Sequence, residues 1–165
     1  MADLLVKLYE LPDVAPRLRA LHDRGVAVRT AMPYEKTQVV TWVRERFGDN
    51  WADECEVAFS RLPVGCYIAI ADGRLAGFAC HDCTCPNFFG PMGVDAPARG
   101  RGMGSALLLC SLHAMAADGY AYAIIGGVGG AGDGAIYRQV AGAVDIAGST
   151  PGVYRARLAR GPESG

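Results

Sequence analysis

Between Asn87 and Leu109 the chain passes from an extended apolar segment into the loop Arg99-Gly100-Arg101-Gly102-Met103-Gly104, and then into the apolar run Ser105-Ala-Leu-Leu-Leu109. A strand that breaks into a glycine-rich loop and continues as a helix commits this part of the chain to an α/β arrangement. Glycines at alternate positions remove the Cβ atoms that would hold a bulky anion away from the main chain, and they allow backbone angles that other residues resist. The helix that follows turns its first free N–H groups, and the positive end of its dipole, back into the loop. Arg99 and Arg101 add charge beside those amides, so the segment reads as a cradle for a phosphate or diphosphate.

With 165 residues, 51% of them hydrophobic and 20% charged, the chain suits one well-packed domain. A net charge of −1 argues against a general nucleic-acid role, because such domains carry a basic excess on one face. No stretch approaches the roughly 18 apolar residues of a membrane span. Asp3, Lys7 and Glu10 break the layout of a secretory signal, so the expected compartment is the cytoplasm, with no membrane partner. The six cysteines are then expected to be reduced and partly buried. Within Cys80-His81-Asp82-Cys83-Thr84-Cys85, only Cys83, Cys85 and His81 are plausible metal ligands. In an extended strand their i, i+2 spacing of about 6.5 to 7 Å suits a tetrahedral ion poorly. No metal is expected.

Leu4–Leu11 reads as a short strand ended by Pro12, and residues 14–24 as an amphipathic helix closed by Gly25. A strand over 26–31 and helices over about 35–47 and 51–60 follow. After Pro63 the period becomes extended: 66–71 and 75–80 flank Asp72-Gly73, a tight hairpin turn. A strand over about 87–94 leads into the loop. The helix 103–118, with Leu107, Leu108, Leu112 and Met115, ends at Gly119. A strand over 120–125 runs into a second glycine stretch from Gly126. A short helix over 135–140 and extended segments over 143–146 and 153–158 complete the sheet. The result is a mixed, mostly antiparallel central sheet with flanking helices. Residues 161–165 are expected as a loose tail.

A Walker loop requires a lysine, and none follows Lys36. A Rossmann fingerprint requires glycine where Ser105 stands and a carboxylate at the end of the next strand, where this chain has Gly126 and Gly127. What remains is R-x-x-G-x-G, met by Arg99, Gly102 and Gly104. The stretch from Gly93 to Leu108 resembles the acyl-CoA-binding motif of the GCN5-related N-acetyltransferase superfamily. Val28-Arg-Thr-Ala31 resembles that family's opening strand, Asp72–Phe78 its central hairpin, and Tyr137 the tyrosine after its second glycine stretch.

The resemblance implies the acyl-CoA N-acyltransferase fold over residues 26–160, with residues 1–25 an N-terminal extension packed on it, and an acetyl-CoA cosubstrate. Arg99, Gly100, Arg101, Gly102, Met103, Gly104 and Ser105 would bind the pyrophosphate, and the main chain of Met92, Gly93 and Val94 the pantetheine arm. That arm would lie in a gap between two splayed strands, lined by Gly126 and Gly127, where glycine allows close approach. By the same resemblance Tyr137 is the general acid for the departing thiolate, since a phenol titrates near pH ~10. The N–H of Val94 or a neighbour would serve the oxyanion. Candidates for the base are Glu54, Glu56, His81 and Asp82, with Glu54 carried forward.

The acceptor is expected to be a primary amine of a small molecule. Protein N-terminal or lysine acetylation, or a non-catalytic acyl-CoA sensor, are the alternatives. Dimerisation is frequent in the superfamily, and strands over 143–158 could pair across an interface. Two departures stand out: Gly130 replaces an asparagine of the family pattern, and Tyr137-Arg-Gln-Val-Ala-Gly142 is one residue longer than the usual segment.

Overall fold

In the computed structural model, which describes residues 2–129, 134–156 and 158, seven strands form one sheet. They are β1 (Ala2–Lys7), β2 (Val26–Thr30), β3 (Cys66–Ala71), β4 (Arg74–His81), β5 (Phe88–Val94), β6 (Tyr122–Val128) and β7 (Val144–Asp145). The helices are α1 (Ala15–His22), α2 (Lys36–Phe47), α3 (Asp49–Val57), α4 (Met103–Ala117) and α5 (Ala135–Ala141). The strand order is β2-β3-β4-β5-β6-β1-β7. All neighbours run antiparallel except β5 and β6. The mixed, mostly antiparallel sheet with flanking helices is therefore as read from the sequence.

Local chemistry accounts for the elements. Asp72 and Gly73 both take positive φ, 52° and 71°, the conformation that a two-residue hairpin demands and that Asp-Gly tolerates. Helix α4 is buried along most of its length, from Met103 through Leu112 to Met115. It packs so tightly on the sheet that a Cβ on Gly77 would stand 2.9 Å from Leu107 and 3.1 Å from the Gly93 carbonyl oxygen. One core lies on this side, built from α4, α1 and the inner faces of β1 and β6. A second lies under α2 and α3, where Val39, Val43 and Trp42 meet Ile68 and Phe78. Cys55, Cys66 and Cys80 sit wholly inside it.

Three segments differ from the sequence reading. The first residues do more than lie against the domain, because β1 occupies an interior place between β6 and β7. Its buried Leu4 and Val6 face the core that α4 covers, with Leu107, Leu108, Leu112 and Met115. The strand expected over 120–125 begins later and continues through Gly126 and Gly127 to Val128. The segment expected to be extended over 153–158 is instead a 3-10 turn, Gly152–Ala156. Gly152 has a φ of 62°, and Tyr154 turns inward, its ring 2.8 Å from where a Gly127 side chain would begin. The tail over 161–165, and Gly130, lie outside the described residues.

Glu35 ties β2 to α2. It accepts paired hydrogen bonds from Arg29 at 2.8 and 2.7 Å and a third from the Met32 amide at 2.7 Å. Arg29 above all, then the Met32 amide, hold its carboxyl down to about 2 from 4.5, against the opposing pull of desolvation. Because the folded value lies below the unfolded one, the bridge stabilises fully above the unfolded value and is lost as pH falls towards 2. Urea unfolding at a series of pH values should show stability falling over that window, and Glu35→Gln should flatten the fall.

Candidate functional site

Strands β5 and β6 pair only at Phe88 with Ile124 and Phe89 with Ile125. Beyond Phe89 the β4–β5 register shifts, with Gly90 at a φ of 121° and Pro91 next to it. An extra residue bends a strand away from its neighbour, and proline removes a ladder donor. The two strands diverge, as the sequence reading expected, and a cleft of about 1360 Å³ opens between them.

The upper half of β5 keeps its bonds to β4 and turns its other edge to this cleft. Asp95 N–H donates to the Ala76 carbonyl at 2.8 Å, and Phe78 stands opposite Gly93. By the alternation of an antiparallel ladder, Gly93 spends its main-chain groups on Phe78, while those of Met92 and Val94 point into the gap. The Val94 carbonyl is met there by Arg99 Nε at 3.1 Å. Gly93 serves differently: a Cβ on it would stand 2.5 Å from the Phe47 ring, so its missing side chain lets α2 close over the strand.

One wall is the loop and the start of α4. The first i to i−4 bond of this helix runs from Ala106 N–H to the Gly102 carbonyl at 3.2 Å. The amides of Met103, Gly104 and Ser105 precede it and face the loop. Gly102 caps the helix in a left-handed conformation, φ 87°, with no side-chain cap, and Gly100 also has positive φ, 75°. Arg24, which the sequence reading left as a helix end, donates from Nη2 to the Arg101 carbonyl at 2.9 Å and fixes the loop from α1's side. Arg99, Gly100, Gly102, Met103, Gly104 and Ser105 all line the cleft. The Arg101 side chain is the exception, bordering a separate hollow with Arg46 and Arg74.

Gly126 and Gly127 line the β6 side. A Cβ on Gly126 would meet the Phe88 ring at 2.8 Å, and one on Gly127 the Tyr154 ring. Asp3, nearly buried, accepts the Gly127 N–H at 2.9 Å. Tyr137, on α5, also lines the cleft, its ring edge-on to Phe89 at 6.1 Å.

The remaining wall comes from α2 and α3, with Phe47, Trp51, Asp53 and Glu54. Here the structure separates the four base candidates. Only Glu54 lines the cleft, where it accepts the Thr84 hydroxyl at 2.7 Å. Glu56 is on the surface, paired with Lys36 at 2.7 Å, which holds its carboxyl below the usual range. Asp82 accepts from Arg61 at 2.8 Å and from the Asn87 amide at 2.7 Å, and lies 3.1 Å from His81 Nδ1. His81 and Asp82 thus hold the turn after β4. Thr84 and Tyr154 escaped the sequence reading, because their roles depend on contacts with residues distant in the chain.

Solved structures supply the comparison. The chain superposes on a GCN5-related glucosamine N-acetyltransferase region of a fungal multi-domain GH3 beta-N-acetylglucosaminidase with a TM-score of 0.66. The identity is 12%, over 88% of this chain and 19% of that one. On a GCN5-related N-acetyltransferase from Sphaerobacter thermophilus the TM-score is 0.61, with 20% identity over 88% of this chain and 48% of that one. This chain therefore spans less than half the length of either. No family model and no curated protein matches its sequence. The likeness establishes the fold: the sheet, its flanking helices and its splayed pair are those of the acyl-CoA N-acyltransferases.

If the α4 cradle holds an anion through its amides, Gly102→Val, which forces a β-branched residue into a left-handed cap, should weaken binding of inorganic pyrophosphate at least ~tenfold by calorimetry.

Proposed function

We propose that this protein transfers an acetyl group from acetyl-CoA to a primary amine of a small molecule, both substrates meeting in the cleft between β5 and β6. The observation that carries this reading is a coincidence of three features on one cleft. They are a helix start with unspent amides, a strand edge left without a neighbour, and a tyrosine beyond the second glycine stretch. The cradle suits a diphosphate: the positive-φ glycines leave open space beside the amides, and the cleft exceeds the ~300–1,000 Å³ of a single small-ligand pocket.

Acetyl-CoA supplies an acyl group already activated as a thioester. The amides of Met103, Gly104 and Ser105, with Arg99, hold its diphosphate, and the main chain of Met92 and Val94 receives its amide-bearing arm. The Val94 N–H donates towards the carbonyl oxygen as charge develops there. Glu54, oriented by Thr84, accepts the proton that the ammonium must lose before it can attack. The Tyr137 hydroxyl gives a proton to the departing thiolate.

The charge of the acceptor wall supports an amine. Glu54 lies there, bonded to the Thr84 hydroxyl, beside Asp53, which Arg44 meets at 3.3 Å, and among the described lining residues the one cation, Arg99, belongs to the loop. Phe47 and Trp51, stacked at 5.3 Å, add an apolar surface suited to a substrate's carbon frame.

Thiol release from acetyl-CoA should therefore appear with at least one member of a panel of small amines, amino acids, polyamines and aminoglycosides. Release with peptides alone would favour protein acetylation, and tight acetyl-CoA binding without release a sensor. Tyr137→Phe should lower kcat ~tenfold or more with little change in acetyl-CoA affinity. Glu54→Gln should lower kcat/KM by ~100-fold, with the loss recovered in part at high pH, where the free amine no longer needs a base.

A further inference from the structure

The second core holds a feature that the proposed transfer does not use. Cys55 on α3, Cys66 at the start of β3 and Cys80 near the end of β4 are far apart in sequence, yet their sulfur atoms all lie within 4.8 Å of one another. None is exposed. Cys66 and Cys80 face each other across the ladder. The neighbouring His81 N–H donates to the Gly65 carbonyl at 3.0 Å, which makes the cysteines the type of pair whose side chains approach most closely.

A fourth thiol joins them. After β4 the chain turns at Asp82, in a left-handed conformation with φ 57°, and Cys83 comes back onto the same cluster. Its thiol lies beside that of Cys80, just outside the trio of sulfurs mutually within 4.8 Å, and donates to the His81 carbonyl at 3.4 Å. Cys80-His81-Asp82-Cys83 is therefore a C-x2-C turn. It escapes a reading of this stretch as a straight strand, in which His81, Cys83 and Cys85 share a face and Cys80 points away.

We propose that Cys55, Cys66, Cys80 and Cys83 form a tetrathiolate site for one Zn(II) ion, which fastens α3 to the β3–β4 hairpin. Four Zn–S bonds of about 2.3 Å place sulfurs about 3.8 Å apart, so the three sulfurs already stand at near-ligating separations. An all-sulfur donor set selects soft and borderline ions over magnesium or calcium. The ligands come from α3, β3, the end of β4 and the turn after it, so small motions of a few backbone segments complete the tetrahedron. Zn(II) replaces the thiol protons, which leave to solvent as the four Zn–S bonds form. Cys83, the partly exposed member, is the point of entry. Cys55 adjoins Glu54, and Cys83 adjoins Thr84, so the same ion steadies the Glu54–Thr84 contact on the cleft wall.

The test uses the full chain, expressed with zinc, kept reduced and purified without chelator. Elemental analysis should find about one zinc per chain. Cobalt(II) in its place should show the intense thiolate-to-metal absorption of a tetrahedral sulfur site. Cys83→Ser, at a partly exposed position, should keep the fold by circular dichroism and lose at least ~tenfold in zinc affinity. Cys85→Ser should change nothing. The proposal is overturned by folded protein that holds no zinc and gives no cobalt–thiolate band, or by zinc bound equally well after Cys83→Ser. A mass two hydrogens short, showing a disulfide within the cluster, would overturn it as well.

Discussion

Neighbouring strands normally stay zipped, because each main-chain N–H or C=O left without a partner away from water costs free energy. In this sheet β5 and β6 come apart after two residue pairs, and the cost is met at Gly90-Pro91, where the ladder shifts and one donor is missing altogether. The divergence releases the edge of Met92 and Val94 and opens the floor of the cleft. The loop before α4 and Tyr137 line one cleft only because that floor exists. A continuous β5–β6 ladder would leave a glycine loop on the surface of an ordinary sheet.

Acidic groups are abundant near the cleft, and their partners sort them. Glu56 is held by a lysine and Asp82 by an arginine and an amide. Both are committed to structure, and neither reaches the open space. Glu54 takes its hydrogen bond from a neutral hydroxyl, which orients a carboxylate without neutralising it. The chemistry of this wall thus depends on what each carboxylate is bound to more than on how many there are.

Much of this was legible in the chain itself. The 66–71 and 75–80 hairpin, the loop and helix α4 announce themselves through local rules: a turn that needs positive φ, a glycine rhythm, a helical apolar period. The same rules gave the short helix that carries Tyr137, expected over 135–140 and found as Ala135–Ala141. They failed where long-range contacts decide. Nothing local marks Ala2–Lys7 as an interior strand, Tyr154 as a ring laid over two glycines, or Arg24 as the brace of a loop in another part of the chain. The cysteines show the limit most clearly: the pattern around residues 80–85 was visible, but only the fold sets Cys55 and Cys66 beside it.

The interior position of β1 bears on how the sheet is assembled. Ala2 stands opposite Val128, and Lys7 opposite Tyr122, so a strand near the start of the chain waits for a partner that emerges from synthesis more than a hundred residues later. Contacts of such sequence separation are entropically expensive to form and slow to find. The β2–β5 meander can collapse on α4 first, leaving the β6 edge open as a template. Docking of β1 then comes late and brings Asp3 to the Gly127 amide. The wall of the cleft is in this way finished by a strand made more than a hundred residues before the one it pairs with.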